Sequence, residues 1–215
     1  MNTKSKNILI VTKLKLLIFL FMIAIVLASC TTKIFHSKEE LVKYIMNEEN
    51  GYTQSKMING VLYTLTYRPT DLLVNQEIGD NITSERIEEL RAKYDRYLYF
   101  NLSMSKNNKE LLSTAPKNRS EFGEMVNQLA FGMGKKVHLY TKSKDTIEMT
   151  DFIYPRMYGI SKKTSMLFVF PREEDKLQED YVNFTVQDLG LYTGEVKFKI
   201  ASKQLKDELQ LSFKN

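Results

Sequence analysis

Tyr97-Leu98-Tyr99-Phe100-Asn101-Leu102-Ser103-Met104 is the stretch on which the fold turns. Leu98, Phe100, Leu102 and Met104 alternate with Tyr97, Tyr99, Asn101 and Ser103. Successive side chains of a strand point to opposite faces, so this pattern predicts a strand with one apolar face and one wet face. Such a strand belongs to an antiparallel sheet, because parallel sheets are covered on both sides. Upstream, Asn59-Gly60 sits between Lys56-Met57-Ile58 and Val61-Leu62-Tyr63. Asn-Gly between apolar segments predicts a hairpin, since a type I′ turn needs positive φ at both central positions. In its second strand Tyr63, Leu65 and Tyr67 alternate with Thr64, Thr66 and Arg68, and Pro69 stops it.

Helical signals flank these strands. Ser37-Lys38-Glu39-Glu40 has the form of a capping box, and Leu41, Tyr44 and Ile45 follow at helical spacing until Gly51. Thr83-Ser84-Glu85 opens a charged helix with Ile87, Leu90 and Tyr94 on one side. Ser105 to Arg119 reads as a polar loop. Ser120 caps a third helix with Phe122, Met125, Val126, Leu129 and Ala130 on its apolar side, and Gly132 and Gly134 end it. Strands are expected at 136–141, 146–152, 165–170, 181–186, 195–200 and 208–213, and the apolar run Met166 to Phe170 suggests burial on both faces. The expected fold is α+β, a mainly antiparallel sheet with about three helices and a β-rich C-terminal half. One domain over 36–215 is expected, with sub-lobes 36–134 and 135–215 as the alternative.

The N-terminus carries a different message. Lys4, Lys6, Lys13 and Lys15 precede an unbroken apolar run, Leu16 to Leu27, followed by Ala28, Ser29 and the only cysteine, Cys30. These are the parts of an export signal. The uncharged run from Leu16 to Thr32 is 17 residues. At ~1.5 Å per residue it spans about 25 Å, short of a ~30 Å hydrocarbon core, so an uncleaved spanning helix is the poorer fit. Leu27-Ala28-Ser29-Cys30 resembles the lipobox of bacterial lipoproteins. The resemblance covers residues 1–30. It implies a signal peptide at 1–29, cleavage before Cys30, acylation of Cys30 and a lipidated tether over 30–35. Two or three acyl chains give the stable anchoring that one does not. The expected place is the cell envelope, outer membrane over inner. Thr31, Thr32 and Lys33 do not form the acidic surface-export signal of Bacteroidota lipoproteins, so the facing is left open.

Charge supports the same division. The chain of 215 residues has 31 basic and 26 acidic side chains. The four lysines named above lie in the export segment and no acidic residue does, so the remainder has 27 against 26, a net of +1. That balance offers no electrostatic case for nucleic acid. One cysteine precludes an internal disulfide.

Catalytic patterns fail one by one. Gly132-Met133-Gly134-Lys135-Lys136 lacks the spacing of a phosphate loop, which would need Gly at 129 and Ser or Thr at 136. His36 and His138 have no zinc-ligand spacing, and Ser120 and Ser165 lack a glycine elbow. No metal or cofactor is expected. Glu88-Glu89, Glu173-Glu174-Asp175 and Glu179-Asp180 could supply paired carboxylates, but they are interspersed with Lys and Arg as on a solvated face. Tyr63, Tyr67, Tyr97 and Tyr99 would form one aromatic surface if their strands are neighbours. Tyr97 and Tyr99, sharing a face with Asn101 and Ser103, are the candidate binding residues; Tyr63 and Tyr67, beside Leu65, belong to the core. Asp145-Thr146-Ile147 resembles the O-glycosylation motif of exported Bacteroidota proteins, with Thr146 as acceptor. The resulting expectation is a membrane-anchored, non-catalytic envelope lipoprotein. Its partners would be the bilayer, through acylated Cys30, and an envelope protein, peptide or glycan. The alternative is a carboxylate-dependent hydrolase acting on envelope polymers or glycans.

Overall fold

The computed structural model describes residues 33–80, 82–157 and 159–213. The expected signal peptide at 1–29 and Cys30 lie outside them. Ile34–Asn215 forms one compact unit. It opens with β1 (Ile34–Phe35), α1 (Lys38–Met46), β2 (Thr53–Ile58) and β3 (Val61–Tyr67). α2 (Thr70–Glu77), α3 (Ser84–Tyr94), β4 (Tyr97–Lys106), α4 (Leu111–Thr114) and α5 (Arg119–Asn127) follow. The remainder comprises β5 (Val137–Thr141), β6 (Thr146–Ile147), β7 (Asp151–Ile153), β8 (Thr164–Pro171), β9 (Tyr181–Val186), β10 (Val196–Ala201), α6 (Ser202–Lys206) and β11 (Gln210–Leu211). The fold is α+β with mainly antiparallel sheets.

Two antiparallel sheets carry the core. One has the order β2-β3-β4-β8-β7 and the other β10-β9-β5-β6. The β2–β3 hairpin turns through Asn59 at φ 48° and Gly60 at φ 74°, the positive pair a type I′ turn requires. β4 buries Leu98, Phe100, Leu102 and Met104, as its alternation predicts. Phe184 of β9 stacks between the sheets, with ring centroids 5.5 Å from Phe100, 5.7 Å from Phe168 and 6.1 Å from Phe170. The open edges of β2 and β10 meet through side chains: Gln54 donates to the Lys199 carbonyl at 2.6 Å and Lys56 to that of Lys197 at 2.5 Å. β8 lies between β4 and β7, so both halves of the chain share one sheet and one core.

Several boundaries differ from the sequence expectation for physical reasons. The domain begins at Ile34 rather than residue 36, because β1 pairs in parallel with β11. Only Gln210–Leu211 of the expected 208–213 strand forms a ladder. The expected 146–152 strand is two strands in different sheets, with the chain crossing between them at 148–150. Met166, Phe168 and Phe170 are fully buried, whereas Leu167 and Val169 on the other face are only half-buried. α5 is capped by Asn118, whose Oδ1 accepts from the Glu121 N–H at 3.0 Å, two residues before the expected Ser120. α2 was not expected at all. It has no local side-chain cap; its first N–H, on Thr70, donates to the distant Glu208 at 3.0 Å.

Candidate functional site

The four tyrosines do not form one surface. β3 and β4 are neighbours, but Tyr63 pairs with Met104 and Tyr67 with Phe100, which puts both tyrosines on the core face. They are 1% and 2% exposed, as expected of core residues. Tyr97 and Tyr99 lie on the opposite face, with ring centroids 6.4 Å apart. The expected exposure is corrected for Tyr99, which is 8% exposed because Tyr94 of α3 packs on it at 6.0 Å, while Tyr97 is half-buried. Burial pushes the Tyr99 phenol up to about 12, with Tyr94 and Tyr97 adding to the shift. Thr146 is exposed on the outer face of the four-stranded sheet, opposite Tyr140. His138 is half-buried, with Nε2 3.3 Å from the Gln187 amide nitrogen. Among the described residues no group of three or more His, Cys, Asp or Glu could hold a metal ion.

The accessible part of the Tyr97–Ser103 face is its polar end. The strand registers assemble two cross-strand rows there. One is Ser55, Thr64, Ser103 and Ser165; the next is Thr53, Thr66, Asn101 and Leu167. Ser55 shares a 3.0 Å hydrogen bond with Thr64, and Thr53 shares one of 3.0 Å with Thr66. Such pairs suit a pleated surface, where β-branched hydroxyl residues pack well and can satisfy one another.

Two helices turn this face into a groove of about 300 Å³. Thr64, Thr66, Asn101 and Ser103 are its floor. On one side Lys38, Val42 and Met46 recur every fourth residue along α1, with Ile45 beside them. On the other stand Leu72 and Gln76 of α2, while Arg68 and Lys163 complete the rim. No carboxylate lines it. Arg68 is half-buried; it donates to Gln76 Oε1 at 2.9 Å, and burial holds its guanidinium below the ordinary value. Neither Arg68, Lys38 nor Lys163 makes an ion pair with a described residue. Ser103 is only 6% exposed, and its hydroxyl has no hydrogen-bond partner among the described residues. The groove therefore offers uncompensated cations and unspent donors above a floor of hydroxyl groups.

The buried carboxylates serve another purpose. Asp71 takes a fork from Arg91, at 2.8 Å on Oδ1 and 2.6 Å on Oδ2, and Oδ2 also accepts the Leu211 N–H at 2.6 Å. Glu208 accepts from Tyr67 OH at 2.5 Å, from the Thr70 N–H at 3.0 Å and from Arg172. Burial pushes the Glu208 carboxyl up, against the opposing pull of Arg172 and Tyr67. Both carboxylates line a cavity of about 410 Å³, but their oxygens are spent on bonds that tie the C-terminal segment to α2, α3 and the sheet. The acidic runs noted in the sequence lie on the surface: Glu89 pairs with Arg86, Glu173 with Lys176 and Asp180 with Lys142.

Sequence reasoning found the groove's face, since Asn101 and Ser103 were placed on the wet side of β4. It assigned no role to Arg68, expected the helix of one wall without placing it there, and missed α2, the other wall. The alternation of Thr64 and Thr66 with apolar partners was the available signal. No protein-family model, curated protein or solved structure matches the chain.

Proposed function

We propose that the protein is a lipid-anchored component of a bacterial cell envelope, with Cys30 carrying the acyl chains and the α+β domain acting as a binding module. The groove supports the binding role. Arg68 is half-buried with no carboxylate lining the groove, and a charge partly taken from water gains from a partner; the exposed Lys38 and Lys163 at the rim add to the positive field. An anionic ligand supplies that partner, and the free Ser103 hydroxyl and Asn101 amide supply orientation. The lipobox-like Leu27-Ala28-Ser29-Cys30 supports the anchor. Metabolic labelling with palmitate in a bacterial host tests it. The wild-type chain is expected to take up label and to sediment with membranes. Cys30→Ala is expected to lose the label, and label retained in that variant overturns the anchor.

A further inference from the structure

We propose that the groove between α1 and α2 seats the phosphate-bearing head of an anionic lipid, with the first carbons of its chain lying along Val42 and Met46. The inference deepens the binding role proposed above and rests on it.

Three features select this class. The first is charge. Half-buried Arg68 and the exposed Lys38 and Lys163 line the groove without an acid, so an anion gains cationic partners that a neutral glycan cannot use. The second is the donor set. The Arg68 guanidinium donates to one side chain, Gln76, and keeps further donors for a ligand. Ser103, a largely buried residue, lines the groove with a hydroxyl that makes no hydrogen bond to a described residue. Charged and neutral donors of this kind suit the several acceptor oxygens of a phosphate. The third is the apolar wall. Val42 is 37% exposed and Met46 51% exposed, and both continue into Ile45 and Leu72. A free phosphate or a polar sugar makes no use of that wall; an acyl chain does.

Size and position agree with a lipid head. About 300 Å³ is the small end of the range for ligand sites, enough for a head group and a few carbons rather than for a polymer. Lys38 lies eight residues after Cys30. The four steps of chain from Cys30 to Ile34 span at most about 14 Å when extended, a short link between the proposed acylation site and the start of the domain.

Native mass spectrometry of the full chain in neutral maltoside micelles tests the proposal. The probes are lysophosphatidate, lysophosphatidylcholine of the same chain length, and inorganic phosphate. Lysophosphatidate is expected to bind at least about tenfold more tightly than either of the others, the size expected of a charge-assisted contact. Arg68→Gln is expected to lose about tenfold of that affinity, and Ser103→Ala a few-fold. Lys163→Gln, at an exposed position, is expected to lose a few-fold without disturbing the fold, and keeps the test valid should Arg68→Gln fold poorly. Equal binding of the two lysolipids, or unchanged affinity in Arg68→Gln and Lys163→Gln, overturns the proposal. Inorganic phosphate binding as tightly as lysophosphatidate overturns the lipid assignment and leaves an anion-binding groove. Binding of none of the probes removes the groove as an anion site, while palmitate labelling at Cys30 decides the anchor independently.

Discussion

Replacing Asp71 by Ala cuts the clamp that holds the C-terminal strand. Asp71 is 3% exposed at its side chain, and it satisfies both the Arg91 fork and the Leu211 N–H. Its loss leaves two orphans. The buried N–H of Leu211 loses its acceptor, which costs about 1–3 kcal/mol. Arg91 loses its counter-charge, but its side chain is 33% exposed and can turn to water. That exposure places the whole effect near the low end of the range for breaking a buried pair, about 3 kcal/mol. Against a typical domain stability of about 5–15 kcal/mol the fold survives. Urea unfolding is the assay. With a slope near 2 kcal/mol per molar, the midpoint is expected to fall by about 1.5 M. The damage should also be local, so exchange of the Ser212 N–H, which donates to the Phe35 carbonyl at 2.8 Å, should quicken more than that of β9. In a double-mutant cycle Asp71→Ala and Arg91→Ala should couple by about 1–3 kcal/mol. A midpoint shift below about 0.3 M, with unchanged slope, refutes the clamp.

The β2–β3 hairpin and the alkaline titration give two further tests. A Cβ at Gly60 meets nothing within 4 Å, so Gly60→Ala should cost only the left-handed backbone penalty of about 1 kcal/mol, read as a small drop in urea midpoint with no change in slope. A loss above about 3 kcal/mol means that the turn is not the type I′ described. Tyr99, held up to about 12 by burial, is bound in its neutral form. A free phenol titrates near 10, so its contribution to stability is complete below pH ~10 and is lost as pH rises from there through 12. Tyr99→Phe should flatten that alkaline slope in part, because burial also raises Tyr52 and Tyr67. An identical slope in both proteins between pH 9 and 12 would falsify the burial argument.

The parts of the fold that were legible in sequence are those governed by local chemistry. Asn59-Gly60 specified its turn, the alternation along 97–104 specified which side of β4 enters the core, and Ser37 and Thr83 specified two helix starts through their own hydroxyls. What failed was non-local. α2 is capped by a carboxylate far along the chain, which no window around Thr70 can reveal. The 146–152 segment changes sheets because Thr150 donates to the Val169 carbonyl at 2.9 Å, a partner in β8. The tyrosines illustrate the limit most sharply. Their faces along each strand were read correctly, but the relation between strands depends on register, and a one-residue shift exchanges the two faces. The groove has the same character: its floor follows from two alternating strands, its walls from helices whose docking the sequence does not state.

The tether, the clamp and the groove belong to one mechanical path. β1 is the first element after the segment that carries Cys30, and its ladder with β11 is only two residues long. A ladder so short holds little by itself; β11 must be fixed from its other side. Asp71 and Arg91 grip Leu211 from α2 and α3, and Glu208, just before the strand, is gripped by Arg172, Tyr67 and the first N–H of α2. Replacing such ion pairs with apolar residues is often neutral or better for stability, so stability alone does not explain them. They do fix a chain end in one position, which apolar packing does less sharply. Within the domain, β1 is tied to β11, and β11 and Glu208 in turn to α2, α3 and β3. α2 and β3 supply one wall and half the floor of the groove, and α1, two residues after β1, supplies the other wall. The proposed anchor and the proposed ligand would therefore act on the same elements, which the buried pairs hold in register.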